Sequence, residues 1–218
     1  MKKLFPFLLL LCLAACSPRV YVARNFRETV LPRHKLVAIL PFDIHIKPAP
    51  TFGRALPPNP NLAEQEQQAA AAIQNSIYSY LLQRESKNRY TVRFQDISKT
   101  NVLLREAGLS YDDLRQMPRE EAARLLGVDA VLSGQMLLSK PLPLAAAVAI
   151  NILTPLYVPS DEVTASLSIH DQQDGQLLWK YDCNLSGGGG PIITNNAQNL
   201  TNALMRNASK RFPYQRKG

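Results

Sequence analysis

KLVAILPF, residues 35–42, is the stretch whose reading decides the fold. Leu36-Val37-Ala38-Ile39-Leu40 is apolar without alternation, the pattern of a central strand covered on both faces. Pro41 brings no N–H to a ladder and marks the end of the run. A strand of that kind needs helices on both sides and right-handed crossovers to parallel neighbours.

The rest of the chain supplies the alternation. Residues 47–60 hold Pro48, Pro50, Pro57, Pro58 and Pro60 around Gly53 and read as an exposed loop. Asn61 and Glu64 stand at capping-box spacing before a helix over 62–86, which carries Ala70, Ile73, Ile77, Tyr80 and Leu81 at helical intervals. Tyr90, Val92 and Phe94 alternate with polar residues as a half-buried strand. Short helices start near Thr100, after Ser110 and at Pro118, and Gly127 stops the last of them. Val128 to Leu138 is a further strand. Val163–Ile169 and Leu177–Leu185 alternate cleanly and are joined through Gln173-Asp174-Gly175, a hairpin with glycine available for positive φ. Ala197, Leu200, Leu204 and Ala208 share one face of a helix over 194–211. The expected fold class is α/β: a mixed sheet with a β-α-β-α-β core followed by a β-hairpin and a C-terminal helix, in a single domain.

Composition narrows what such a domain does. The chain has 218 residues, 25 Lys+Arg against 17 Asp+Glu for a formal charge of +8, and 46% hydrophobic residues, which excludes a disordered chain. Three cysteines exclude a disulfide-built scaffold. Lys2 and Lys3 precede an apolar run, Leu4 to Leu13, that is shorter than the about 20 residues of a membrane span. The run closes on Leu13-Ala14-Ala15-Cys16, which resembles the bacterial lipobox. That resemblance implies cleavage before Cys16, a thioether diacylglycerol on its sulfur and acylation of the new amino group. Several acyl chains, at ~0.8 kcal/mol per buried CH₂, make a lasting anchor. Ser17 rather than an aspartate favours the outer membrane by the enterobacterial sorting rule. The organisation expected is a removed signal peptide over 1–15, a lipidated tether over 16–33, an α/β periplasmic domain over 34–212 and a basic tail over 213–218.

Chemistry is sparse. His34, His45 and His170 have no Cys or His partner at metal-ligand spacing and read as surface histidines, with no metal and no cofactor expected. Asp112-Asp113 and Glu120-Glu121 fall in first helical turns, where negative charge offsets the macrodipole. Phosphate-loop, dinucleotide and nucleophile-elbow patterns do not occur in the sequence. Gly187 to Gly190 reads as a loop rather than an anion cradle, and Cys183, in phase with Trp179 and Tyr181, as a buried inert thiol. Arg206, Lys210, Arg211, Arg216 and Lys217 crowd an end without acidic residues, which suits either a solvated helix end or anionic head groups. Export across a membrane argues against nucleic acid as the partner of so basic a chain. The uncharged segment PLPLAAAVAINILTPLYVP, residues 141–159, lacks the length of a membrane helix and the alternation of a barrel strand. It reads as core crossover or as a contact for a partner or the membrane interface through Leu144, Val148, Ile150, Ile152, Leu153, Leu156 and Tyr157.

LVAILPFD, the helix from residue 62, LGVDAVLSGQM and SIHDQQDGQLLWKYD together resemble the envelope lipoproteins related to the curli-export channel, over about residues 35–185. That superfamily is similar to the N-terminal domain of the Tol system's β-propeller protein and to the lipoprotein activators of peptidoglycan synthases. The resemblance implies a periplasmic α/β domain that binds protein partners and sometimes assembles as a ring. The two amphipathic hairpin pairs that build a curli-type pore are not found here. The expected function is therefore a non-catalytic lipoprotein, anchored to the outer membrane through Cys16 and facing the periplasm. It would bind or assemble with envelope proteins in export or wall maintenance. The alternatives are an oligomeric secretion channel built as a homo-oligomer, and an enzyme whose site is assembled in space. Cys16→Ser is expected to leave an unlipidated precursor, read by mass spectrometry of the membrane fraction; normal processing and retention in that variant would refute the anchor.

Overall fold

The run at 35–42 forms the first half of a broken strand. The computed structural model describes residues 18–47, 60–139, 162–185 and 197–216. In it β1 is Arg19–Val22, β2 Leu36–Ile39 and β3 Asp43–Lys47. Helix α1 spans Leu62–Glu85, β4 Arg93–Phe94, α2 Ile97–Glu106, α3 Tyr111–Gln116 and α4 Arg119–Leu126. Strands β5 (Ala130–Ser139), β6 (Glu162–Asp171) and β7 (Leu177–Asn184) follow, then α5 (Ala197–Ala208). One seven-stranded sheet runs β1-β7-β6-β5-β2-β4, with β3 paired to β5 beyond β2. β2 is parallel to β4 and β5, β3 is parallel to β5, and β5-β6-β7-β1 is antiparallel throughout. The mixed sheet, the hairpin and the C-terminal helix are as the residue patterns predict.

The break has a local cause. Ile39 lies opposite Leu132 while Asp43 lies opposite Gln135, so Leu40, Pro41 and Phe42 span Ser133 and Gly134. Pro41 cannot donate to the ladder, and the extra residue makes a bulge. Side chains meet the backbone groups that the bulge releases. Gln74 of α1, itself buried, donates to the Ile39 carbonyl at 2.7 Å, and the Tyr111 hydroxyl donates to the Phe42 carbonyl at 2.6 Å. The Phe42 ring turns onto Gly134, where any Cβ would fall inside it.

Two cores flank the sheet. Val37, Ile39 and Leu132 face Ile73, Ile77 and Leu81 of α1 and Leu204 of α5, joined by Trp179, Phe212 and Tyr214. On the other side Ala38, Leu40 and Val131 meet Leu104, Leu114, Ala122 and Leu126 of α2–α4. Gly175 takes φ +70° in the hairpin turn, as expected, and α4 ends at Gly127. Asp112-Asp113 and Glu120-Glu121 sit in first helical turns, and Ser110 with Asp113 forms a reciprocal capping box.

Four expectations are corrected. Residues 19–33 are folded structure rather than tether: β1 pairs with β7, and Phe26 and Val30 of a π-helical turn at Phe26–Val30 are buried because their rings and methyls complete the larger core. The segment from 213 is likewise no free tail, since Tyr214 is buried, its carbonyl accepts from Thr91 N–H, and Arg216 N–H reaches the Arg89 carbonyl. His34 is fully buried and His170 partly so, because the chain ends and the hairpin close over them. No capping box forms at Asn61, whose backbone is not in the extended cap conformation; Glu64 accepts from Gln68 instead.

Gly134→Ala is expected to cost about 1–3 kcal/mol by forcing the Phe42 ring out of its place. Denaturant melts check it, with Phe42→Leu expected to recover part of the loss in the double variant. Unchanged stability would refute the close packing.

Candidate functional site

Two edges of the sheet, those of β3 and β1, are treated differently by the sequence. At the outer side of β3, side chains close the edge. The Ile44 N–H donates to the Tyr111 hydroxyl at 2.9 Å and the Ile46 N–H to Glu66 Oε1 of α1 at 2.9 Å. An extended segment approaching there meets donors already engaged, the usual protection against edge pairing.

At the end of the sheet formed by β1, that strand pairs with β7 alone among the described residues. Ala23 donates to the Leu178 carbonyl at 2.9 Å, and Tyr21 lies opposite Lys180, so by antiparallel alternation Val20 and Val22 turn their N–H and C=O groups outward. Tyr21 is 47% and Val22 45% exposed, the largest exposures of bulky apolar side chains among the described residues. Neither proline nor lysine guards the strand. Beside it lies a shallow cavity of about 390 Å³ rimmed by Pro18, Arg19, Asn184, Leu185 and Asn207. Cys183 opens onto this cavity, half-buried against the core; burial first and Asp182 second push its thiol up to about 11, so it stays protonated and unreactive.

Titratable side chains gather in two further places. In the first, Arg33 grips both carboxylate oxygens of buried Asp171, whose Oδ1 also accepts the Gln173 N–H at 3.0 Å. His34 Nδ1 lies 2.6 Å from the Tyr214 hydroxyl, and its Nε2 3.8 Å from Asp171. Burial opposes ionisation of Asp171, but Arg33 and the Gln173 N–H outweigh it and hold the carboxyl below its ordinary value. Burial lowers the His34 pKa against the pull of Asp171, and burial raises that of Tyr214. With His34 and Tyr214 sealed from solvent, this row of acid, imidazole and phenol is a tie between distant segments. The second place is open: Asp43 Oδ1 is 2.7 Å from Arg115 Nε, and His45 Nε2, near both, is 2.8 Å from Arg115 Nη2. Both stand on the face of the sheet next to α3 and link it to β3.

Among the described residues no group of three His, Cys, Asp or Glu side chains could hold a metal ion. Cys16, the seven apolar contact candidates Leu144, Val148, Ile150, Ile152, Leu153, Leu156 and Tyr157, and Gly187 to Gly190 lie outside the described residues. Asp171 and Tyr214 gave no signal in the sequence, because their partners stand 138 and 180 positions away. The β1 edge was not read from the sequence either, since RVYV lies in the segment expected to be a tether and becomes a strand only by pairing with β7.

No family model matches the sequence, and no curated relative does. Solved structures similar in the course of the chain include the lipoprotein GNA1162 from Neisseria meningitidis, at 13% identity and TM-score 0.46, covering 81% of this chain and 98% of that one. The C-terminal domain of LpoB from Salmonella enterica has 13% identity and TM-score 0.36, over 71% of this chain and 84% of that one. The PelC dodecamer from Paraburkholderia phytofirmans has 12% identity and TM-score 0.39, over 93% and 99%.

The network predicts the direction of acid sensitivity. His34 has a lowered pKa in the folded state, so the unfolded chain takes up protons first as pH falls through about 6.5. Stability is complete above that value and declines below it; His170, lowered by burial and Arg119, adds to the same decline, and Asp171 extends it below about 3.9. Thermal melts from pH 8 to 5 are expected to show a falling Tm, with a shallower slope in His34→Gln. An equal slope in that variant would assign the titration elsewhere.

Proposed function

We propose that this chain is a non-catalytic lipoprotein of the bacterial envelope that docks an extended segment of a partner protein on the open edge of β1. The carrying observation is the place of that edge: β1 begins at Arg19, three positions after the lipobox cysteine Cys16. Extended chain covers roughly 3.3–3.6 Å per residue, so an anchor on Cys16 holds the edge close to the bilayer surface. Among the described residues no helix is long and apolar enough to cross a membrane, which leaves the lipid as the attachment in this reading. Ser17 and the lipobox support an outer-membrane anchor in this reading, with the domain facing the periplasm.

Strand addition suits the edge chemically. Outward N–H and C=O groups of Val20 and Val22 supply main-chain hydrogen bonds, and the exposed Tyr21 and Val22 side chains supply apolar contact on the two faces. The absence of a catalytic role is inferred from how the ionisable groups are spent: His34 is sealed, and Asp43 is held by Arg115. The uncharged run 141–159 stands as a second contact candidate on its sequence alone.

Val22→Pro removes one outward donor while the inward bonds of Tyr21 and Ala23 remain, a change that edge strands tolerate. With a photo-crosslinker at residue 21 in intact cells, the full lipoprotein is expected to capture a distinct envelope protein. Val22→Pro is expected to abolish that product at near-unchanged Tm. Capture undiminished in the variant would overturn the edge as the docking site, and capture of the chain's own copies in a large ring would move the reading to a secretion channel.

A further inference from the structure

The end of α1 and the C-terminal segment line a second cavity of about 370 Å³. It is lined by Arg84, Lys87, Arg89 and Lys210, with Tyr90 and Ser209. No carboxylate lines it, and none of the four cations pairs with an acidic side chain among the described residues. Cations at the end of a helix are common enough as partners of its dipole. Two observations go further. Tyr90 is 4% exposed, and its buried hydroxyl has no hydrogen-bond partner among the described residues, a state that folded proteins rarely leave unmet. Arg84 is held rather than loose, its guanidinium carbon 3.9 Å from the centre of the Tyr80 ring, while the Tyr80 hydroxyl bonds to the Met205 carbonyl and to Ser209.

We propose that this cavity is a phosphate-binding site. Two guanidinium forks and two ammonium groups around one space match a group of several oxygens and at least one negative charge. The Tyr90 hydroxyl remains protonated, since burial pushes its pKa up to about 12, and it offers the remaining donor. The phosphate is either that of an anionic lipid head group at the membrane surface or free inorganic phosphate. The site is independent of the β1 edge, so failure of either proposal leaves the other standing.

The test is the thermal melt of the full lipoprotein in neutral detergent micelles, since a ligand that binds the folded state raises Tm by mass action. One arm adds inorganic phosphate against chloride at matched ionic strength. The other dopes the micelles with phosphatidylglycerol against phosphatidylcholine. A rise in both arms, or with inorganic phosphate alone, supports a site for the bare group; a rise with phosphatidylglycerol alone supports a head-group site. In each case Lys87→Gln/Lys210→Gln, which alters two exposed side chains, is expected to weaken binding at least ten-fold. Tyr90→Phe keeps the ring and is expected to weaken it several-fold. No rise in either arm, an equal rise in chloride, or full binding by either variant overturns the site.

Discussion

β5 must satisfy its backbone on both sides along its length, and the rest of the fold is arranged around that demand. On one side it meets β6 in unbroken antiparallel register from Ala130 to Ser139. On the other it meets β2 and then β3 in parallel, across the bulge at Leu40-Pro41-Phe42. A continuous ladder opposite a broken one requires a small residue at the break, which is Gly134 beneath the Phe42 ring. It also requires outside partners for the released groups, which Gln74 and Tyr111 supply from separate helices. An unmet buried carbonyl would cost as much as a typical hydrogen bond returns, so these side chains decide whether the strand can bend here.

The same logic explains how the ends of the chain are held. Aromatic rings at Phe212 and Tyr214 pack against Tyr90, Trp179 and Phe26, bringing the C-terminal segment over the start of the sheet. The Trp179 indole N–H donates to the Arg211 carbonyl at 2.9 Å, and the His34 ring meets the Tyr214 hydroxyl. Burying Asp171 is tolerable because Arg33 and a backbone N–H both serve its charge. The tie joins the entry to β2, the tip of the hairpin and the chain's end, three places that local structure would leave independent.

Function, in this reading, comes from what the fold leaves unfinished. One sheet edge is closed by Tyr111 and Glu66, whereas the edge nearest the lipobox has no second strand beside it among the described residues. Catalysis needs reactive groups that substrate can reach in a fixed geometry, and the acid–imidazole row here is sealed. The basic cavity at the end of α1 has no carboxylate in its lining among the described residues.

Much of this was legible from residues alone. The apolar run at 36–40 demanded a strand covered on both faces, alternation at 163–169 and 177–185 demanded a hairpin, and glycine at 175 met the need for positive φ. The helix start after Ser110 and the helix end at Gly127 are likewise local facts, whereas the reciprocal cap of Ser110 with Asp113 was seen only in the structure. Tertiary structure alone decided the rest. RVYV at 19–22 is too short to declare itself a strand until Tyr181 and Trp179 of β7 stand opposite it. His34, isolated in sequence, becomes a buried tie through partners at positions 171 and 214. Lys210 joins Arg84, Lys87 and Arg89 only because α5 packs on α1. Short-range patterns report the conformation of a segment, since sterics and neighbouring hydrogen bonds act over a few residues. Burial, charge pairing and the openness of an edge depend on which distant segment arrives, and that is settled by the packing of the whole chain.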